Sequence, residues 1–246
     1  MMKLGVGILA LLVVLGAATH SALATPSTED WTPCIIDFQP PGMTHFGMDE
    51  YFTVGHKGPG NGGESFPTDL TLFEWGAHVG KKAQAEFGVD VLEPTDDPLF
   101  LNAKIGYPEG TLSPNAPALE LQIFNVGTKH GATDYNIVNF ITGKSLPNNQ
   151  GRIHASYYIG NSAVLRSSSG ANANTGYMVA YDRWLKKDKV QFAADYASGK
   201  NYIGGGGVGL YYYFTPNISI LAGPVWFNDK GINGKMKWTT QLDMNF

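Results

Sequence analysis

The last twelve residues constrain the chain more than any other stretch. From Lys235 to Phe246, every second side chain is apolar or aromatic: Met236, Trp238, Leu242, Met244 and Phe246, interrupted only by Thr240. The alternate set is wholly polar: Lys235, Lys237, Thr239, Gln241, Asp243 and Asn245. A β-strand sends successive side chains to opposite faces, so this stretch has one greasy face and one wet face. Tilted near 45° to a bilayer normal, such a strand would hold the rings of Trp238 and Phe246 about 19 Å apart along that normal. A change at Asn245, on the wet face near the strand's end, is expected to be mild.

The rest of the chain suits many such strands. Only 15% of its 246 residues are charged, against about 25% in a typical soluble protein. Aromatics make up 12% and there are 31 glycines. Beyond the amino terminus no continuous apolar run reaches about 20 residues, so helical membrane spans are not expected. The amino terminus itself reads as a secretory signal over residues 1–24. Lys3 is its positive start, Leu4 to Ala18 its apolar centre, and Ala22-Leu23-Ala24 the small-x-small cleavage site. Loss of Lys3 from the 17 basic residues leaves 16 against 21 acidic ones, a net charge of −5. No basic patch points to nucleic acid. Cys34 is the single cysteine, which excludes an intramolecular disulfide and a multi-cysteine metal site.

Residues 25–42 carry Pro26, Pro33, Pro40 and Pro41 and read as an irregular segment, either periplasmic or tucked into a barrel mouth. Trp31, Ile35, Ile36 and Phe38 provide apolar surface for docking. From residue 43 onward about twelve strand-like runs follow: His45–Val54, Thr71–Val79, Lys82–Val91, Leu99–Tyr107, Leu119–Val126, Tyr135–Thr142, Ile153–Ile159, Tyr177–Leu185, Val190–Tyr196, Ile203–Phe214, Ile218–Phe227 and the closing run. Two features are irregular. Glu50 interrupts the apolar face of the first run, and the sixth carries apolar residues on both faces. If that sixth run is misread, ten or fourteen strands are possible.

A terminal amphipathic strand ending in Phe, preceded by alternating runs of about ten residues, resembles the outer-membrane β-barrel proteins of Gram-negative bacteria. The resemblance is to a class of architecture and covers most of the mature chain. It implies an all-β, closed, antiparallel up-and-down barrel in outer-membrane lipid. It also implies that the barrel-assembly machinery reads the strand ending in Phe246. An even strand count would place both termini in the periplasm, with short turns there and longer loops outside. Gly80-Lys81, Lys186-Lys187-Asp188 and Thr215-Pro216 suit short turns, while Gly55–Pro67 and Asn161–Thr175 suit outer loops. Pro108–Pro117 and Gly143–Gly151 are long for the periplasmic side.

The alternation directs Asp49, Glu74, His78, Lys82, Glu86, Asp90, Lys104, Glu120, His154, Asp182, Asp195, Lys235, Lys237 and Asp243 into the lumen. Trp75, Tyr107, Tyr212, Phe214, Trp226, Trp238 and Phe246 fall outward as membrane-girdle aromatics. So many charges demand either a water-filled lumen or pairing across it. The expected function is a narrow channel for passive passage of small hydrophilic solutes. The alternative is a closed barrel whose outer loops contact a partner or surface, and the third is an outer-membrane enzyme.

Little supports the third. Gly204 to Gly209 contains a formal G-x-G-x-x-G, but the β-prone Leu210–Phe214 follows it where a dinucleotide site needs a helix. The histidines lack metal-ligand spacing. Asp96, Asp97, His130 and Asp229 are expected in outer loops, as any barrel would have. No cofactor, metal or catalytic set is expected.

Overall fold

The computed structural model describes residues 29–53, 68–93 and 95–246. The proposed signal sequence and the whole Gly55–Pro67 loop lie outside the described residues. Twelve antiparallel strands close into one barrel, each paired with its neighbours in the chain. They are β1 (Thr44–Phe52), β2 (Thr68–Val79), β3 (Ala83–Glu93), β4 (Leu99–Tyr107), β5 (Ala118–Gly127), β6 (Asp134–Ser145), β7 (Arg152–Ile159), β8 (Thr175–Lys186), β9 (Val190–Ala197), β10 (Gly205–Thr215), β11 (Ile218–Phe227) and β12 (Lys237–Asn245). Among the described residues the helical pieces are one turn, α1 (Lys230–Asn233), and a 3-10 turn at Pro147–Asn149.

Closure joins β1 to β12 in unbroken register, from His45 opposite Asn245 to Phe52 opposite Trp238. Thr44 and Phe246 exchange backbone hydrogen bonds of 2.8 and 3.0 Å at the seam's end. With both edges paired, the sheet presents no open row of backbone donors and acceptors. The alternation of β12 holds: Thr239, Gln241, Asp243 and Asn245 are buried, whereas Trp238 and Phe246 are exposed. Glu50 does face outward, where its carboxylate accepts a 3.0 Å hydrogen bond from the Thr68 hydroxyl on β2.

Bulges change the phase in places that a strict two-residue period misses. In β2 the register shifts between Thr71 and Phe73, so Leu72 and Phe73 both face out and Thr71 turns inward. A strict two-residue period would place Thr71 on the same face as Phe73 and Trp75. In β5 the shift falls at Asn125, whose φ is +50°, and Phe124 and Asn125 are both buried. The turn between β6 and β7 is shorter than expected, because β6 runs on to Ser145 and Leu146 N–H bonds Gly151 C=O at 2.8 Å. The connector between β4 and β5 stays long but is folded on itself by a 3.0 Å bond from Gly110 N–H to Ala116 C=O.

The two-sided apolar character of β6 also has a cause. Ile137 (0% exposed) and Ile141 (2%) point into the barrel, while Phe140 points out. Inside, they pack with Cys34 and Ile36 of the segment that precedes β1. The barrel is therefore occupied. Residues 29–42 run through its interior, and Trp31, Cys34, Ile36 and Gln39 each contact the wall.

Candidate functional site: the occupied lumen

Besides its apolar packing, the internal segment is held by polar contacts from the charged inner wall. On β9, Asp195 Oδ2 accepts from three successive backbone N–H groups, Asp30 at 3.2 Å, Trp31 at 2.8 Å and Thr32 at 2.6 Å. Its Oδ1 accepts from Gly207 N–H at 2.9 Å, tying the same carboxylate into the wall. Opposite, Trp31 Nε1–H donates to Ile203 C=O at 2.8 Å, and its ring meets Tyr51 and Phe227 edge-on. The Tyr211 hydroxyl donates to Glu29 C=O at 2.8 Å, and Gln241 Nε2 donates to Asp30 C=O at 2.7 Å.

Two basic residues grip the other half. Lys104 Nζ donates to Asp37 C=O at 2.5 Å, lies 3.3 Å from Glu86 and 4.0 Å from Glu120, and sits over the Phe38 ring. Arg152 bridges Asp37 at 2.7 Å and Asp182 at 2.9 Å. His154 Nδ1 is 2.8 Å from Cys34 C=O, and its Nε2 is 3.3 Å from Asp182. Glu86 also accepts from Gln39 N–H at 2.6 Å.

Glycines make room for this chain. A Cβ on Gly76 would come within 2.0 Å of Gln39 C=O, and one on Gly207 within 2.6 Å of Asp30 Cβ. The glycine run at 204–209 thus belongs to a strand that lets the internal segment approach closely, rather than to a phosphate loop.

The predicted inward residues fall into three groups. Asp49, Glu74, Asp90, Lys104, Glu120, His154, Asp182, Asp195 and Asp243 are buried inside the barrel, as is the Glu86 side chain. Lys237 is half-buried at the start of β12, 3.3 Å from the Thr53 hydroxyl. Lys82, Lys235 and His78 require correction. Lys82 lies in the turn between β2 and β3, and Lys235 follows α1 outside β12, so neither is held by a strand's alternation. His78 is near the end of β2 and exposed at the rim. Asn245 is likewise not the tolerant rim position expected of it, since it is buried with Oδ1 2.8 Å from His45 Nδ1. Trp75, Tyr107, Tyr212, Phe214, Trp226, Trp238 and Phe246 are all exposed.

What alternation could not supply was the inner partners: Glu29, Asp30, Trp31, Cys34, Asp37 and Gln39. The signal for them was present but indirect, in the apolar residues of the 25–42 segment and the inward-facing isoleucines of β6.

Glu29, His154 and Asp182 bring possible ligand atoms within 4.8 Å of one another. Asp182 is already engaged by Arg152 and by Gln191 Nε2 at 2.8 Å, so the cluster serves first to tie segment to wall. The loop residues once weighed for catalysis have separate partners. Asp97 pairs with Lys129 at 2.7 Å, His130 with Asp134 at 2.9 Å, and Asp229 accepts from the Ser168 hydroxyl at 2.7 Å.

Between the internal segment and the β1–β6 wall lies a cavity of about 270 Å³. Trp31 and Pro33 form one side; Asp69, Glu74, Asp90, Asn102, Phe100, Tyr135 and Tyr202 are among the residues opposite.

No family model matches the chain, and no curated protein matches it in sequence. Solved structures similar to it include an outer membrane channel from Pseudomonas putida F1, at 11% identity and a TM-score of 0.47 over 90% of this chain and 99% of that one. An outer membrane protein from Acinetobacter baumannii is similar at 13% identity and a TM-score of 0.46, over 86% of this chain and 99% of that one. A mutant porin from Rh. blastica is similar at 7% identity and a TM-score of 0.41, over 83% and 98%.

Proposed function

We propose that this chain is an outer-membrane barrel that passes small hydrophilic solutes, with residues 29–42 as the internal obstruction that sets its conductance. The observation that carries the reading is the inverted distribution of side chains. Charges line the interior, while Leu99, Leu101, Ile105, Leu119, Leu121, Ile123, Ile153, Ile159 and Val179 face out together with the exposed aromatics. Soluble monomers rarely expose contiguous apolar patches beyond a few hundred Å². Lipid solvates such a surface, and closed ladders leave no backbone group unpaired within it. Placement in a Gram-negative envelope, cleavage after Ala24, periplasmic termini and recognition of β12 by the assembly machinery belong to the same proposal.

The obstruction is fastened by hydrogen bonds and ion pairs, which water can replace when the segment moves, and by the apolar packing of Trp31, Cys34 and Ile36, which movement would have to break. A second reading is favoured by the cavity, which ends against the segment: a closed barrel that binds rather than conducts. Planar-bilayer recording of the refolded full chain, beside a variant lacking residues 25–42, separates the two. Discrete steps that grow in the shortened variant support the channel. Silence from both, with folded barrels verified by heat-modifiable gel migration, leaves the closed barrel.

A further inference from the structure

We infer that the cavity beside Trp31 is a binding site for a small organic ammonium ion. Its titratable carboxylates are Asp69, Glu74 and Asp90, and among the described residues no lysine, arginine or histidine lines it. The inward bases on neighbouring strands are engaged elsewhere: Lys104 with Glu86, Glu120 and the internal segment, and His45, opposite Glu74 in register, with Asn245 and Asp243. Asp90 is 8% exposed, and its carboxylate accepts from Asn102 Nδ2 and interacts with the Thr71 hydroxyl across the strand pair. Its Oδ1 is buried and accepts no hydrogen bond among the described residues, and Asp69 Oδ1 is in the same condition. Carboxylates along one wall of a cavity, two of whose oxygens meet no described donor, suit an incoming donor that carries positive charge.

The wall decides which cation. Phe100, Tyr135 and Tyr202 form a continuous stack, with centroids 6.2 and 4.9 Å apart and planes within 22° and 18°. A metal ion would need a shell of oxygen ligands on all sides and gains little from such a surface. An ammonium with an apolar body uses both halves: N–H donors toward Asp69 and Asp90, and hydrocarbon and cation–π contact with the rings. The stack is itself fixed from the acidic side. Asn102 Oδ1 accepts from Asn125 N–H at 3.0 Å, and Asn125 Nδ2 donates to the Tyr202 hydroxyl at 3.3 Å. One chain of hydrogen bonds therefore orients carboxylate, amide and ring together. At about 270 Å³ the cavity falls just below the usual range for drug-sized ligands, so the occupant is small.

The site does not depend on conduction, so its test leaves the channel proposal untouched. Isothermal titration of the full, detergent-folded protein would use phenethylammonium chloride, its neutral isostere 2-phenylethanol, and calcium chloride. Saturable one-to-one binding of the ammonium, at least tenfold tighter than the alcohol, is the expected result. Asp90→Asn should weaken it tenfold or more, while Asp97→Asn, in a loop outside the cavity, should leave it unchanged. The site is overturned if ammonium and alcohol bind alike, if calcium alone binds, or if a folded Asp90→Asn barrel binds as the parent does. Should Asp90→Asn fail to fold, the ammonium-to-alcohol ratio on the parent protein still decides the matter.

Discussion

Replacing Asp195 by Ala tests how the internal segment is held. The substitution removes the acceptor for three consecutive buried N–H groups of the segment, at 3.2, 2.8 and 2.6 Å. A hydrogen bond to a charged group contributes about 1.5–3 kcal/mol, and an orphaned buried donor costs about 1–3. The 3.2 Å contact is the weakest of the three. Removing the carboxylate also relieves its desolvation cost and its closeness to Asp30, so the lower end applies to the two short bonds. The docked state of the segment should then lose about 3–4 kcal/mol, a shift of roughly two to three powers of ten in its docking equilibrium. Hydrogen exchange of the detergent-folded protein, read by mass spectrometry on peptides covering residues 29–34, measures this directly. Exchange there should accelerate by a factor of about a hundred or more, while the amides of β9 and β10, apart from Gly207 whose acceptor is also lost, keep their protection. Asp195→Asn, which retains an acceptor but not the charge, should fall between. Unchanged protection at 30–32 in the alanine variant would refute the reasoning, since the carboxylate would then not be what holds the turn.

Further outcomes follow from the same structure. Gly76→Val should displace the segment, because even a Cβ would come within 2.0 Å of Gln39 C=O; larger single-channel steps than the parent's are expected in a planar bilayer, and identical steps count against obstruction by the segment. Leu242→Arg places charge on the outer face of β12 and should cost about 2–4 kcal/mol near the midplane, measured by denaturant unfolding in lipid. Asn245→Ala should cost about 1–3 kcal/mol in the same assay, since it strips His45 of a buried partner. Ser168 N–H and O–H hold the Asp229 carboxyl below the usual carboxylate range. A lowered folded pKa means the clasp's contribution is complete above the unfolded value near 3.9 and is lost only as pH falls through the folded one. The protection factor at Ser168, its exchange corrected for the intrinsic pH dependence, should therefore hold from pH 8 to about 4 and fall only below that.

A good part of this was legible in the chain. Wherever a strand carries an apolar outer face and a polar inner one, the two-residue period is enforced by the two surroundings, and β9 and β12 show it plainly. The same enforcement made the outward positions of Trp75, Trp226 and Trp238 readable. Reading failed where a local rule lost to a neighbour. The bulge at Leu72 and Phe73 shifts the phase of β2, and no composition signal marks it. Lys82 and Lys235 kept the period on paper yet sit beyond the strand ends, where nothing imposes a side.

The character of the lumen was the largest matter left to the tertiary structure. From sequence, inward charges implied either water or pairing, and residues 25–42 were either periplasmic or in the barrel mouth. Periodicity determines which way a side chain points but not what meets it there. Only closure of the cylinder brought Asp30 to Asp195, Asp37 to Arg152 and Cys34 to His154, contacts spanning more than a hundred residues of chain. Those pairings arise because a closed barrel leaves a fixed internal volume, and this chain fills it with its own leading segment.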